Sequence, residues 1–220
     1  MEINIFFDYL NILYLYLSII VIPLLTFILS FKAVKQRKTT GKWSYIRLLV
    51  IGGLFAFSWI TIWKFLFDET SINIIISKEL YGIDAPGFSL YNIGLLLLVT
   101  FGLTIVFYGN GLESMYYAPF LIFFGMLAFH LVTGFSAWLR IYTYIIGFIS
   151  LIFLYFTGLR IRDNGSLGLA IIFTLAIAAL LLRGIDGSFI LRTILNLGYN
   201  IFGLVFAAGY FKPFKKVGGV

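Results

Sequence analysis

The sequence predicts an all-α integral membrane protein: one domain, a bundle of seven transmembrane helices, N-terminus outside and C-terminus cytoplasmic. Three observations carry that expectation. Hydrophobic residues fill 61% of the 220 positions and charged residues 11%, with a mean hydropathy of +1.04. A soluble domain has about 25% charged residues, so the surplus apolar surface belongs in lipid. The apolar residues also fall into seven segments close to the roughly 20 residues that a membrane-crossing helix needs. Finally, basic residues concentrate on alternate connections between those segments, as the positive-inside rule requires.

The first segment, about 10–31, follows Met1-Glu2-Ile3-Asn4 and Asp8. That start lacks the positive leader of a cleavable signal peptide, so the segment is read as a retained helix. Pro23 should kink it and free a carbonyl near Ser18 and Thr26. The second segment, 46–67, carries Ser58, Thr61, Lys64 and Asp68 at spacings of three to four, flanked by Trp59 and Trp63. The long connection 68–90 contains Ile72–Tyr81, too short to span and too apolar for water. It is read as an interfacial or re-entrant stretch, ended by Gly82 and Pro86-Gly87.

The third segment, 91–108, places Thr100, Thr104 and Tyr108 at intervals of four and ends at the turn Gly109-Asn110-Gly111. The fourth, 116–135, contains His130, the single histidine, read as a packing residue. The fifth, 138–159, opens with Arg140. The turn Asp163-Asn164-Gly165 leads to the sixth, 166–183, and Gly184-Ile185-Asp186-Gly187 leads to the seventh, 189–211. With the N-terminus outside, the cytoplasmic side receives the basic stretch Lys32–Arg47, Arg160 with Arg162, and Lys212, Lys215 and Lys216. Lys64, Lys78, Arg140, Arg183 and Arg192 face outward among most of the acids.

The seven segments divide as three, one and three (1–108, 116–135, 138–211), with the fourth as a linker. Each outer unit would be one helix, a basic loop (Lys38-Thr39-Thr40-Gly41, or Arg162-Asp163-Asn164-Gly165-Ser166), and two more helices. In topology this resembles the SWEET and PQ-loop carriers, which implies a substrate site between two parallel repeats. The Pro-Gln signature of those carriers is absent: Leu24 follows Pro23, and the fifth segment has no proline.

The residue inventory removes several chemistries. There is no cysteine, so neither disulfides nor thiolate metal sites can form. One histidine cannot supply a bis-histidine haem or a histidine-rich metal site. Gly134-Phe135-Ser136-Ala137 is similar to the serine motif of intramembrane proteases, but His130 lies about 120° around the same helix and cannot act as the base. No pair of intramembrane aspartates exists, and the seventh segment has no lysine for retinal. The Asp68-Glu69 pair is read as loop charge. We therefore assign no catalytic, cofactor or metal site, and an enzyme is the less favoured class without being excluded. The net charge of +7 is spread between the segments, so it argues for topology and the bilayer rather than for nucleic acid.

Arg192, Asn196 and Asn200 stand one turn apart on the seventh segment, in otherwise apolar surroundings. Polar groups at such depth face a bundle interior or a wet cavity. With Arg183 and Asp186 beside them, and Thr61, Lys64 and Asp68 on the second segment, they are expected to line an outward-opening cavity between the second, sixth and seventh helices. Arg192 would be its deepest cation, and the two asparagines its floor. Guanidinium and amide groups suit a small polar or anionic solute. In the opposing reading the arginines reach out to headgroups and the asparagines bond neighbouring helices. The function expected first is a small-solute carrier. A ligand sensor, an accessory subunit with a membrane partner, and a lipid- or isoprenoid-modifying enzyme are the other classes. The short tail Lys212–Val220 would leave a sensor dependent on a partner for its output.

Overall fold

The computed structural model describes residues 2–69, 90–133, 137–160, 162–182, 185 and 187–208. Among the described residues, helical propensity and apolar patterning give seven α-helices: α1 (Glu2–Thr40), α2 (Tyr45–Glu69), α3 (Leu90–Gly109), α4 (Ala118–Thr133), α5 (Ala137–Arg160), α6 (Asn164–Leu181) and α7 (Phe189–Ala208). A 3₁₀ turn, Glu113–Met115, precedes α4. No strand occurs among the described residues. Five of the helices are long and apolar enough to cross a membrane, while α3 and α6 are shorter apolar helices. The segment Ile72–Tyr81 lies outside the described residues.

The largest departure from the expected boundaries is in α1. It does not stop at the basic residues but continues through Lys32, Lys35, Arg37 and Lys38 to Thr40. Lysine, glutamine and arginine favour helix, and no breaker intervenes. Gly41 then ends the helix at φ +69°, with its N–H donating to the Arg37 carbonyl at 2.8 Å. At about 1.5 Å per residue, these 39 residues reach roughly 58 Å. That is nearly twice the ~30 Å hydrocarbon thickness of a bilayer, so the basic turns form a helical extension of the apolar span. The helix also runs unbroken through Pro23.

Between α5 and α6 the expected Asp163-Asn164-Gly165 turn is tighter than a loop. Asp163 caps α6: its Oδ2 accepts from the Ser166 N–H at 2.9 Å and from the Ser166 hydroxyl at 2.7 Å. A side chain at Gly158 would put its Cβ 2.6 Å from Leu167 Cγ and 3.0 Å from the Leu167 nitrogen. Only glycine lets the two backbones approach this closely.

Six helices close a ring in the order α1, α2, α3, α5, α6, α7, and back to α1. The hairpin pairs run antiparallel: in α1–α2, Tyr14 meets Lys64 while Thr26 meets Ser58. Two seams are parallel. Val99, Gly102 and Gly109 of α3 lie against Gly147, Ser150 and Thr157 of α5 in rising order. Likewise Ser18 and Leu25 of α1 meet Asn200 and Gly203 of α7. Helix α4 stands outside the ring, held on α3 by Phe120 edge-on to Phe101 and by Phe123 against Leu96.

Polarity is distributed inside out. Ser18, Ser58, Thr100, Thr104, Thr157 and Thr193 are buried, whereas Phe27, Phe55, Leu121 and Val132 are exposed. Many of the buried hydroxyls return to their own helices, as with Thr100 to the Leu96 carbonyl and Thr104 to the Thr100 carbonyl, both at 2.8 Å. At the end of the ring nearest the α1–α2 and α5–α6 turns, the interior is filled by Val50, Leu54, Ile105, Val106, Leu154 and Leu169. That cluster is a dry plug.

Candidate functional site

The other half of the ring holds a cavity of 660 Å³. Its lining comes from α1, α2, α3, α5, α6 and α7, with nothing from α4. Polar groups reach it from α1 (Tyr14), α2, α5 (Thr143, Tyr144 and Ser150) and α7. On α2, Thr61 and Lys64 are three residues apart. On α7, Arg192, Asn196 and Tyr199 follow at intervals of four and three. The cavity thus engages twice the number of helices expected from the sequence, and it ends at Leu154 and Phe173, at the border of the plug.

Not every polar group has the same freedom. The Thr61 hydroxyl donates to the Phe57 carbonyl of its own helix at 2.9 Å. Lys64 donates from Nζ to the Tyr14 hydroxyl oxygen at 3.2 Å, with the ammonium 5.3 Å from that ring's centroid. Arg192 places its guanidinium 5.6 Å from the Phe189 ring. Neither cation meets a carboxylate among the described residues. Asn196 is 6% exposed and borders the cavity. A side-chain amide there can both donate to and accept from whatever enters.

Asn200 is placed differently. It does not line the large cavity but sits in the α1–α7 seam, where Nδ2 donates to Ser18 Oγ at 2.8 Å and to the Asn196 carbonyl at 3.0 Å. The bonds continue: Ser18 Oγ lies 3.2 Å from Tyr199 Oη, and Tyr199 donates to Tyr14 Oη at 3.4 Å. The Asn200 carbonyl oxygen is buried without a hydrogen-bond partner among the described residues and borders a small void of 10 Å³. A similar clasp closes the other parallel seam: Asn110 Nδ2 donates to Thr157 Oγ1 at 2.7 Å and to its own Val106 carbonyl at 2.9 Å.

Of the residues singled out in the sequence, the cavity gathers Thr61, Lys64, Arg192 and Asn196. Asp68 lies in the last turn of α2, with its side chain outside the described residues, as are Arg183 and Asp186 altogether. The polar lining residues that sequence reasoning passed over are Tyr14, Tyr199 and, on α5, Thr143, Tyr144 and Ser150. A signal existed for the first two: Tyr14 precedes Ser18 by one turn, and Tyr199 follows Asn196 at i+3, which puts each on a polar stripe.

No group of three or more His, Cys, Asp or Glu side chains that could hold a metal ion occurs among the described residues. The polar side chains around the cavity are two cations, which only donate, and hydroxyls and an amide, which can both donate and accept hydrogen bonds. No protein-family model matches the chain, and no curated protein or solved structure is significantly similar to it.

Proposed function

We propose that the chain is a multi-pass membrane carrier that takes a small anionic solute into the cavity of its six-helix ring. The supporting observation is that Lys64, Arg192 and Asn196 line one cavity. Two cations beside a low-dielectric space are expensive until an anion joins them. The cavity stops at a dry plug, as one access state of a carrier would. The order of helices around the ring is compatible with two three-helix units joined by α4, because both junctions between units are parallel seams. The N-out, C-in orientation is part of the proposal. It rests on the basic turns of α1 and on Arg160 with Arg162, which lie at the plugged end of the ring, and on the lysines that follow α7 in the sequence.

The test is flux into proteoliposomes of a panel of radiolabelled anions: acetate, inorganic phosphate and octanoate. At least one should equilibrate faster than in empty liposomes, and Lys64→Gln combined with Arg192→Gln should abolish the difference while leaving the protein folded. Stabilisation by an anion without flux would instead favour a ligand sensor. Neither flux nor stabilisation by any member of the panel would overturn the reading of the cavity.

A further inference from the structure

The cavity's charge is one-sided. Lys64 and Arg192, with Asn196, occupy one end, whereas the walls beyond are mainly apolar, built from Leu98, Val99, Leu151, Leu154, Phe173 and Ile177, with the hydroxyl of Ser150 among them. Acetate or phosphate would satisfy the cations and leave most of a 660 Å³ space without contacts. A ligand that fills it must carry a hydrocarbon portion.

The boundary of the cavity points the same way. Tyr144 and Phe148 of α5 and Leu181 of α6 line it, yet they are 61%, 63% and 67% exposed. On this side the cavity therefore reaches the outer surface of the bundle. The close contacts between α5 and α6 are at the opposite end, where Tyr155 bonds Thr174 at 2.8 Å and Gly158 abuts Leu167. In a bilayer, the window between α5 and α6 faces hydrocarbon.

The hydrogen-bond order adds a third donor. Tyr14 Oη accepts from both Lys64 and Tyr199, which leaves its own proton for an acceptor in the cavity it lines. An ammonium donating to a phenol oxygen also makes that phenol a better donor, through the polarisation of linked hydrogen bonds.

We propose that the ligand is an amphipathic anion: a carboxylate or phosphate head held by Lys64, Arg192, Tyr14 and Asn196, on a single hydrocarbon tail lying along Leu98, Val99, Leu151 and Phe173. It enters from the bilayer between α5 and α6. This rests on the reading of the cavity as a solute site and goes beyond it in fixing the solute's chemistry and route.

The test is binding of radiolabelled dodecanoate to the protein in phosphatidylcholine nanodiscs, with empty nanodiscs subtracted. Acetate, butyrate, octanoate, dodecyl phosphate and dodecanol serve as competitors. Competition should strengthen by up to about fourfold per added methylene, and dodecanol should be at least about tenfold weaker than dodecanoate. Lys64→Gln and Arg192→Gln should each weaken dodecanoate about tenfold, whereas Lys64→Arg keeps most of the affinity. Ala176→Trp, which fills the apolar part, should abolish the gain with chain length and leave acetate unaffected. Displacement of dodecanoate by phosphatidylglycerol added to the nanodisc would assign the anion to a phospholipid. Lack of displacement would assign it to a free single-chain acid. Binding of acetate or phosphate with no dependence on chain length would overturn the inference and leave the small-anion carrier standing. No binding of any anion would remove both.

Discussion

The helix pairs α1–α2 and α5–α6 face each other across the ring and meet its cavity differently. Each is a hairpin whose turn lies at the plugged end. In α1–α2 the helices stay joined at the far end, where Lys64 bonds Tyr14 and Tyr16 packs edge-on to Phe65 with centroids 5.6 Å apart. In α5–α6 the described bonds are near the turn, and at the far end Tyr144, Phe148 and Leu181 serve as both cavity wall and outer surface. The difference is one of side-chain chemistry. A cation and three aromatic rings draw α1 and α2 together, while α5 and α6 offer apolar side chains that gain nothing from each other over lipid. On the α5–α6 side the cavity wall is thus also the outer surface of the bundle.

The comparison can be broken most forcefully at the closed end of α5–α6. Gly158→Ala forces Cβ into Leu167, including its backbone nitrogen, and should cost about 1–3 kcal/mol, read as a lowered thermal transition in detergent. A stability unchanged by Gly158→Ala would mean that the hairpin is not pinned there. In the plug, Leu154→Ala removes a side chain that is 1% exposed. It should destabilise by about 2–5 kcal/mol, less if the ring collapses around it. On the α1–α2 side, Lys64→Met should change stability by only about 0.6 kcal/mol, a typical interhelical bond in a membrane protein. It should nonetheless weaken anion binding about tenfold, separating the residue's packing from its charge.

The two asparagines sharpen the comparison further with the smallest effects. Asn200→Leu removes the Ser18 clasp and should lower stability by about 0.6 kcal/mol with ligand affinity unchanged. Asn196→Leu should do the reverse, weakening the anion by severalfold and leaving stability equal or improved, because a polar side chain is removed from the wall of a largely apolar space. If both variants lost affinity equally, the assignment of Asn200 to the seam would fall.

Much of this architecture was legible in the sequence. Segment boundaries at 91–108 and 138–159 lie within a residue of α3 and α5, because hydrophobic length and glycine turns set them locally. The basic end of α1 was misplaced because charge marks the edge of a membrane and not the end of a helix. The stripe on the seventh segment was visible as residue types at helical spacing, and so were Thr61 and Lys64. What separates Asn196 from Asn200 was not visible. They are one turn apart, and only the position of Ser18 on α1, far away in sequence, turns one toward the seam and leaves the other beside the cavity. Tyr14 and Tyr199 escaped notice because a tyrosine in an apolar segment has the composition of an interfacial belt, and only packing tells the two apart.

The central claim is a cavity that ends at a dry plug, and the absence of cysteine from the chain makes it directly measurable. Single variants Asn196→Cys and Leu54→Cys, in proteoliposomes, would be exposed to a water-soluble methanethiosulfonate reagent from each side in turn. The account predicts modification of Asn196→Cys from the side opposite the basic turns, slowed by dodecanoate, and no modification of Leu54→Cys from either side. Equal labelling of the two positions, or none at Asn196→Cys, would contradict it.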